Sequence, residues 1–186
     1  VAVEFDTYEN VDRGDPPYDH VAIMKEGAGF HFNTANMAGP VRIIPGVDNA
    51  EDGLIHSVRI NWNSVSQELS VYVDCILRVT ANRALVDDVF GGNPEVFWGF
   101  TAATGGLSNV HNFCLKYVSF TEELIDTTIC KGENIQLDGG SGSGNTFSWT
   151  PAASLNSGAI PNPVATPDTT TTYFLEVTDF CGFKRF

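Results

Sequence analysis

Six side chains near the start of the chain are spaced as if to hold a cation. Glu4, Asp6, Tyr8 and Asn10 alternate by two, so a strand running into a loop projects all four from one face. Two carboxylates and an amide on one buried face are costly unless something neutralises them. Asp15 then arrives from the following loop and His20 from the returning strand, adding one hard oxygen ligand and one nitrogen. Hard oxygens in a loop suit Ca²⁺, which takes about six to eight of them, whereas carboxylates mixed with imidazole suit a transition ion such as Mn²⁺. Two adjacent sites sharing Asp6 and Asp15 use every one of these residues. A calcium loop of the EF-hand kind does not fit, because Val11 stands where glycine is required and Pro17 where the closing glutamate belongs. The plainer reading is a solvated acidic loop beside a strand.

The elements that must position these residues are strands. Val1 to Asn10 carries a strand signal, the chain turns on Gly14-Asp15-Pro16-Pro17, and His20 opens a second apolar run, His-Val-Ala-Ile. A Gly/Asn-rich stretch follows to Pro45. Ile55 to Trp62 and Leu69 to Val79 flank the polar loop Asn63 to Gln67 and read as a hairpin; Leu69, Val71, Val73, Cys75, Leu77 and Val79 share one parity and predict a buried face. Asn82 to Phe90 is the one short helix expected. Val96 to Phe100 and Val110 to Phe120 read as further strands around the loop Thr104 to Asn109.

The charge balance limits partners. Ten Lys and Arg against 23 Asp and Glu leave a formal charge of −13, the opposite of what nucleic acid or an anionic membrane surface selects. A hydrophobic share of 42% with 18% charged residues is globular composition, and 18 Gly with nine Pro favour strands and turns over helices. The chain opens at Val1 with neither a charged leader nor a long apolar run, so a processed chain or fragment without a membrane span is expected. Four widely spaced cysteines lacking zinc spacing point to two disulfides in an oxidising compartment, with four buried free thiols in a cytosolic protein as the alternative.

Glu4-Phe5-Asp6-Thr7-Tyr8-Glu9-Asn10, followed by Asp15-Pro16 and Asp19-His20, resembles the metal-binding stretch of the legume-type (L-type) lectins. The similarity continues through His56 to Asn63, Leu69 to Asp74 and Trp98-Gly99-Phe100-Thr101-Ala102-Ala103-Thr104-Gly105-Gly106, covering roughly residues 1–121. The resemblance implies an all-β, concanavalin-like jelly-roll sandwich, incomplete at its N-terminus because the family's sandwich is about twice as long. It implies that Glu4, Asp6, Asp15 and His20 hold the transition ion, and that Asp6, the Tyr8 carbonyl, Asn10 and Asp15 hold Ca²⁺. Asn10 would donate its amide to sugar hydroxyls, Tyr8 would offer a ring face to the sugar, and Gly105, Gly106, Leu107, Ser108 and Asn109 would correspond to the variable specificity loop, whose plainer reading is an ordinary hairpin turn. The implied partner is a glycan or polysaccharide.

From about Glu122 the composition shifts toward Thr, Ser, Gly and Pro, with strand signals at Asn134 to Leu137, Thr146 to Trp149 and Thr171 to Thr178. Residues 122–186 resemble the small Ig-like or PKD-like β-sandwich modules of large secreted and surface bacterial proteins, which implies a spacer with Trp149 in its core. Domain membership then pairs Cys75 with Cys114 and Cys130 with Cys181. The expectation is a carbohydrate-binding, non-enzymatic module of a secreted or cell-surface bacterial protein. Two other functions compete with it. Glu4-x-Asp6-x-x-Glu9 also matches the signature of retaining β-glucanases, with Glu4 as nucleophile and Glu9 as acid/base about 5 to 5.5 Å apart, provided a bulge brings Glu9 onto the face of Glu4. A structural adhesin segment whose metals only stabilise a loop is the third.

Overall fold

The computed structural model describes residues 1–27, 29–104, 108–116, 118, 126–140 and 144–186. They gather into two compact units, Val1–Phe100 and Thr101–Phe186. The secondary structure is almost wholly β, and every ladder is antiparallel.

In the first unit β1 (Ala2–Asp6), β2 (His20–Met24) and β3 (Asn36–Arg42) form one sheet in that order. β4 (Val58–Asn63), β5 (Glu68–Val73) and β6 (Ile76–Asn82) form another. β6 packs on β2 and β3, and the Arg78 guanidinium donates two hydrogen bonds to the Arg42 carbonyl, at 2.9 and 2.7 Å. The core between the sheets consists of Val21, Ile23, Ile43, Leu69, Val71, Val73, Val79, Ala81 and Leu85, with Val3 packed against it. β2 carries no charged side chain, lies between two strands and is buried at all five positions, as a central strand covered on both faces must be.

β3 lies inside the Gly/Asn-rich stretch, where Gly39 and Pro40 would ordinarily break a strand. They are tolerated because the β2–β3 register shifts there, from Val21↔Val41 to Ile23↔Ala38, leaving one more residue on β3 than on β2. Gly39 sits at φ 89°, and a Cβ on it would stand 2.7 Å from the Val21 carbonyl oxygen, so only glycine fits.

The run expected as one strand from Leu69 to Val79 is instead two strands joined by Asp74 and Cys75, both in the left-handed region at φ 47° and 67°. That is the backbone of a two-residue hairpin turn, unusual without Asn-Gly or Asp-Gly. The parity argument holds for Leu69, Val71, Val73 and Val79 and fails for Cys75 and Leu77, which are exposed. Asp74 anchors the turn: its Oδ1 accepts the Ser57 N–H at 2.8 Å and its N–H donates to the Ser57 carbonyl at 2.9 Å.

Its other oxygen bonds His56 Nδ1 at 2.6 Å, while His56 Nε2 lies 3.1 Å from Asp52. The hydrogen bonds to Asp74 and Asp52 raise the His56 pKa against an opposing effect of burial. A raised imidazole pKa contributes stability that is fully present below about 6.5 and is lost as pH rises through the folded value. The melting temperature is therefore expected to fall as pH rises from 6 to 8. His56→Gln should flatten that slope in thermal melts across the same range.

The expected helix at Asn82 to Phe90 is a single π-helical turn, Leu85–Val89, whose Leu85 fills the core. The strands expected at Val96 to Phe100 and Val110 to Phe120 do not form among the described residues, and Phe97 and Val110 are fully or largely exposed.

The second unit holds β7 (Ile135–Gln136) paired with β9 (Val164–Ala165), and β8 (Thr146–Thr150) paired with β10 (Phe174–Thr178), which also pairs with β11 (Lys184–Arg185). β8 alternates cleanly, burying Phe147 and Trp149, and Trp149 Nε1 donates to the Ile160 carbonyl at 3.0 Å. Neither expected disulfide pair forms. Cys114 and Cys130 are exposed free thiols, and the oxidised cysteines are Cys75 and Cys181. Cys75 lies in an exposed turn rather than on the buried face.

Candidate metal and ligand site

Alternation along β1 and β2 separates the core from the site. Directly opposed residues share a face, and the register pairs Glu4 with Ala22 and Asp6 with His20 without interruption. Val3, Val21 and Ile23 therefore face the core, while Glu4, Asp6 and His20 share the opposite face. Ala22 between them is small enough to leave room beside Glu4.

The loop after β1 brings the remaining residues in. A 3₁₀ turn at Val11–Arg13 ends on Gly14 at φ 84°, where a Cβ would stand 2.9 Å from the Phe32 ring. The side chain of the next residue, Asp15, is almost wholly buried and accepts the Asn10 N–H on Oδ2 at 2.7 Å. Asp6 Oδ1 accepts the Tyr8 N–H at 2.9 Å. Those two carboxylates thus hold the loop that carries Tyr8 and Asn10, both of which are exposed.

A residue that sequence reasoning missed completes the cluster. His31 is held by its backbone, which donates to the Arg13 carbonyl at 2.9 Å and accepts from Asn36 Nδ2 at 2.9 Å. Its Nε2 lies 3.0 Å from His20 Nε2, 3.3 Å from Glu4 Oε2 and 3.4 Å from Asp15 Oδ1. The signal that could have found it is a lone histidine between Phe30 and Phe32 in an otherwise polar stretch.

Two overlapping sets result, Glu4 with His20 and His31, and Asp6 with Asp15 and His20; within each set the ligand atoms lie within 4.8 Å of one another. Glu4 Oε2 is buried without a hydrogen-bond partner, as is Nδ1 of both histidines. Burial raises the Glu4 pKa, electrostatic interaction with His31 and then His20 opposes that, and Asp6 and Asp15 add to it. Arg13 lines the same depression of about 250 Å³ but directs its guanidinium to Asp12 and over the Phe30 ring. Three carboxylates, one of them with an orphaned oxygen, and two imidazoles are a donor set that fits divalent cations.

Glu9 is exposed, and the unbroken β1–β2 register ends at Asp6, so β1 has no bulge to carry Glu9 toward Glu4. Asp19, adjacent to His20, is engaged elsewhere, its Oδ2 accepting the Ala50 N–H at 2.6 Å. Gly105, Gly106 and Leu107 lie outside the described residues. Ser108 and Asn109 are exposed residues of the second unit, and Asn109 Oδ1 accepts the Val110 N–H at 2.8 Å. No helix among the described residues is long and apolar enough to cross a membrane.

The chain is 34% identical over 129 residues to a galactose-binding lectin of Arachis hypogaea, covering 69% of this chain and 42% of that protein. It is 30% identical over 138 residues to a lectin alpha chain of Cratylia argentea, covering 74% and 52% respectively. Lectin CPL of Bionia pedicellata is 30% identical over 152 residues, 81% of this chain and 56% of that protein. The chain thus spans about half the length of the relatives it matches. The model of the legume lectin domain matches residues 1–134, well over half of the sequence, and the chain belongs to that family.

Proposed function

We propose that this chain is a calcium- and transition-metal-dependent carbohydrate-binding module without enzymatic activity. The observation that carries the reading is the convergence of Glu4, Asp6, Asp15 and His20 beneath a loop that exposes Tyr8 and Asn10. Glu4, Asp6, Asp15 and His20 would hold a transition ion such as Mn²⁺, and Asp6, Asp15, Asn10 and the Tyr8 carbonyl would hold Ca²⁺. Bound there, the ions supply positive charge that neutralises the carboxylates and polarises the Asn10 amide. Asn10 then has its NH₂ free to donate to a sugar hydroxyl, and the Tyr8 ring can stack on a sugar's C–H face. Gly105, Gly106, Leu107, Ser108 and Asn109 are proposed as the loop that sets preference among glycans.

Residues 1–121 are read as the lectin-like domain, and 122–186 as an Ig-like or PKD-like spacer, a role that suits the small antiparallel sheets of the second unit. The oxidised cysteines suit a secreted or cell-surface setting, and the module type a bacterial one. The hydrolase reading has no support from the position of Glu9. A purely structural role would leave the exposed Tyr8 and Asn10 without purpose.

The test is glycan-array binding together with a β-glucan hydrolysis assay, on the parent chain, Asn10→Asp and Glu9→Gln. Asn10→Asp keeps an oxygen for calcium and loses the NH₂ donor, so calcium-dependent glycan binding should drop at least tenfold; Glu9→Gln should bind as the parent does. Glucan cleavage that vanishes in Glu9→Gln would overturn the proposal.

A further inference from the structure

We propose that His31 is a direct second imidazole ligand of the transition ion, and that it shifts the site's preference from Mn²⁺ toward Zn²⁺ or Co²⁺. The inference rests on the metal reading above and extends it, since the family resemblance supplies a single imidazole, that of His20. Two ligand atoms about 2.1 Å from one ion are about 3.0 Å apart at a right angle and about 3.4 Å apart at the tetrahedral angle. His31 Nε2 stands 3.0, 3.3 and 3.4 Å from His20 Nε2, Glu4 Oε2 and Asp15 Oδ1, all within that window.

The rest of the geometry agrees. The two imidazoles meet edge to face, with ring centroids 4.8 Å apart and planes at 81°, so both Nε2 atoms address one point without the rings colliding. His31 has only 3% of its side chain exposed and His20 is wholly buried, and neither Nδ1 has a protein partner, so the polar contacts of both rings converge at Nε2, among the carboxylates. The His31 backbone is fixed at both its N–H and its carbonyl, which presets the ring instead of leaving it to be ordered by the ion. Imidazole suits Zn²⁺, Co²⁺ and Ni²⁺, whereas carboxylate and water suit Mn²⁺, so exchanging a water for a second nitrogen moves selectivity along that series.

The experiment uses the full 186-residue chain in a His56→Gln, His111→Gln background, so that the two imidazoles outside the cluster add no signal. The chain is stripped with chelator, given excess Ca²⁺ and an equimolar mixture of Mn²⁺ and Zn²⁺, and its bound metal is counted by mass spectrometry. X-ray absorption at the zinc edge then counts imidazoles. The expected results are two imidazoles per zinc and a Zn:Mn ratio that falls at least tenfold in His31→Ser. His31→Gln serves as a second variant of closer size, and the imidazole count of the unsubstituted site needs no variant at all. One imidazole per ion, or an unchanged Zn:Mn ratio in both variants, would overturn the role of His31 while leaving the metal site standing. Retention of no ion would overturn both.

Discussion

Removing divalent ions with a chelator is expected to lower the melting temperature of the first unit by about 10 to 20 °C, and excess Ca²⁺ to restore it. With the ions gone, Glu4, Asp6 and Asp15 gather at close range around two imidazoles, with a buried Glu4 oxygen left unbonded. An ion present at about a hundred times its dissociation constant contributes roughly 2.7 kcal/mol to the folded state. For a unit of this size each kcal/mol is worth about 4 to 8 °C. Thermal melts followed by tryptophan fluorescence, with chelator and then with calcium added back, check the expectation. Identical melts in all three conditions would show that the cluster holds no ion.

The second large effect lies in the core. Ile23→Ala should destabilise the first unit by about 3 to 4 kcal/mol, because Ile23 is fully buried on the central strand, between β1 and β3 and against the second sheet, and its removal leaves a void. Ile60→Ala, on the outer strand β4 where the side chain is 51% exposed, should cost less than about 1 kcal/mol. Urea titration of both variants, read as midpoint shifts at constant slope, distinguishes them. Equal losses would mean that the core is not where the two sheets place it.

Much of the site could be read before the fold was known, for a physical reason. Two-residue periodicity survives in sequence, so Glu4, Asp6 and Asn10 declare a shared direction and the apolar run after His20 declares its partner strand. The β1–β2 register then makes Asp6 face His20. His31 was invisible to the same reasoning because it lies on no strand; backbone hydrogen bonds to Arg13 and Asn36 carry it to the cluster, and such bonds leave no trace in residue type. β3 was hidden by Gly39 and Pro40, which a bulge accommodates. The turn at Asp74 and Cys75 was hidden because neither residue is glycine, and it inverted the reading of Cys75 from buried to exposed. Cysteine pairing depends on where distant segments meet, which spacing alone does not carry.

The uninterrupted pairing of Ala2 to Asp6 with Met24 to His20 also governs which changes of length the region could survive in descent. Residues added between Tyr8 and Asn10 or deleted around Asp15 would move one or two ligands, and a surface loop can often be lengthened without unfolding what it joins. One residue inserted within β1 would instead rotate every later side chain of the strand to the other face, sending a carboxylate into the core and an apolar chain into the ligand cluster. A change of length between residues 7 and 19 is therefore expected to cost ligands and leave the fold, and one within the five paired positions of β1 and β2 to cost both.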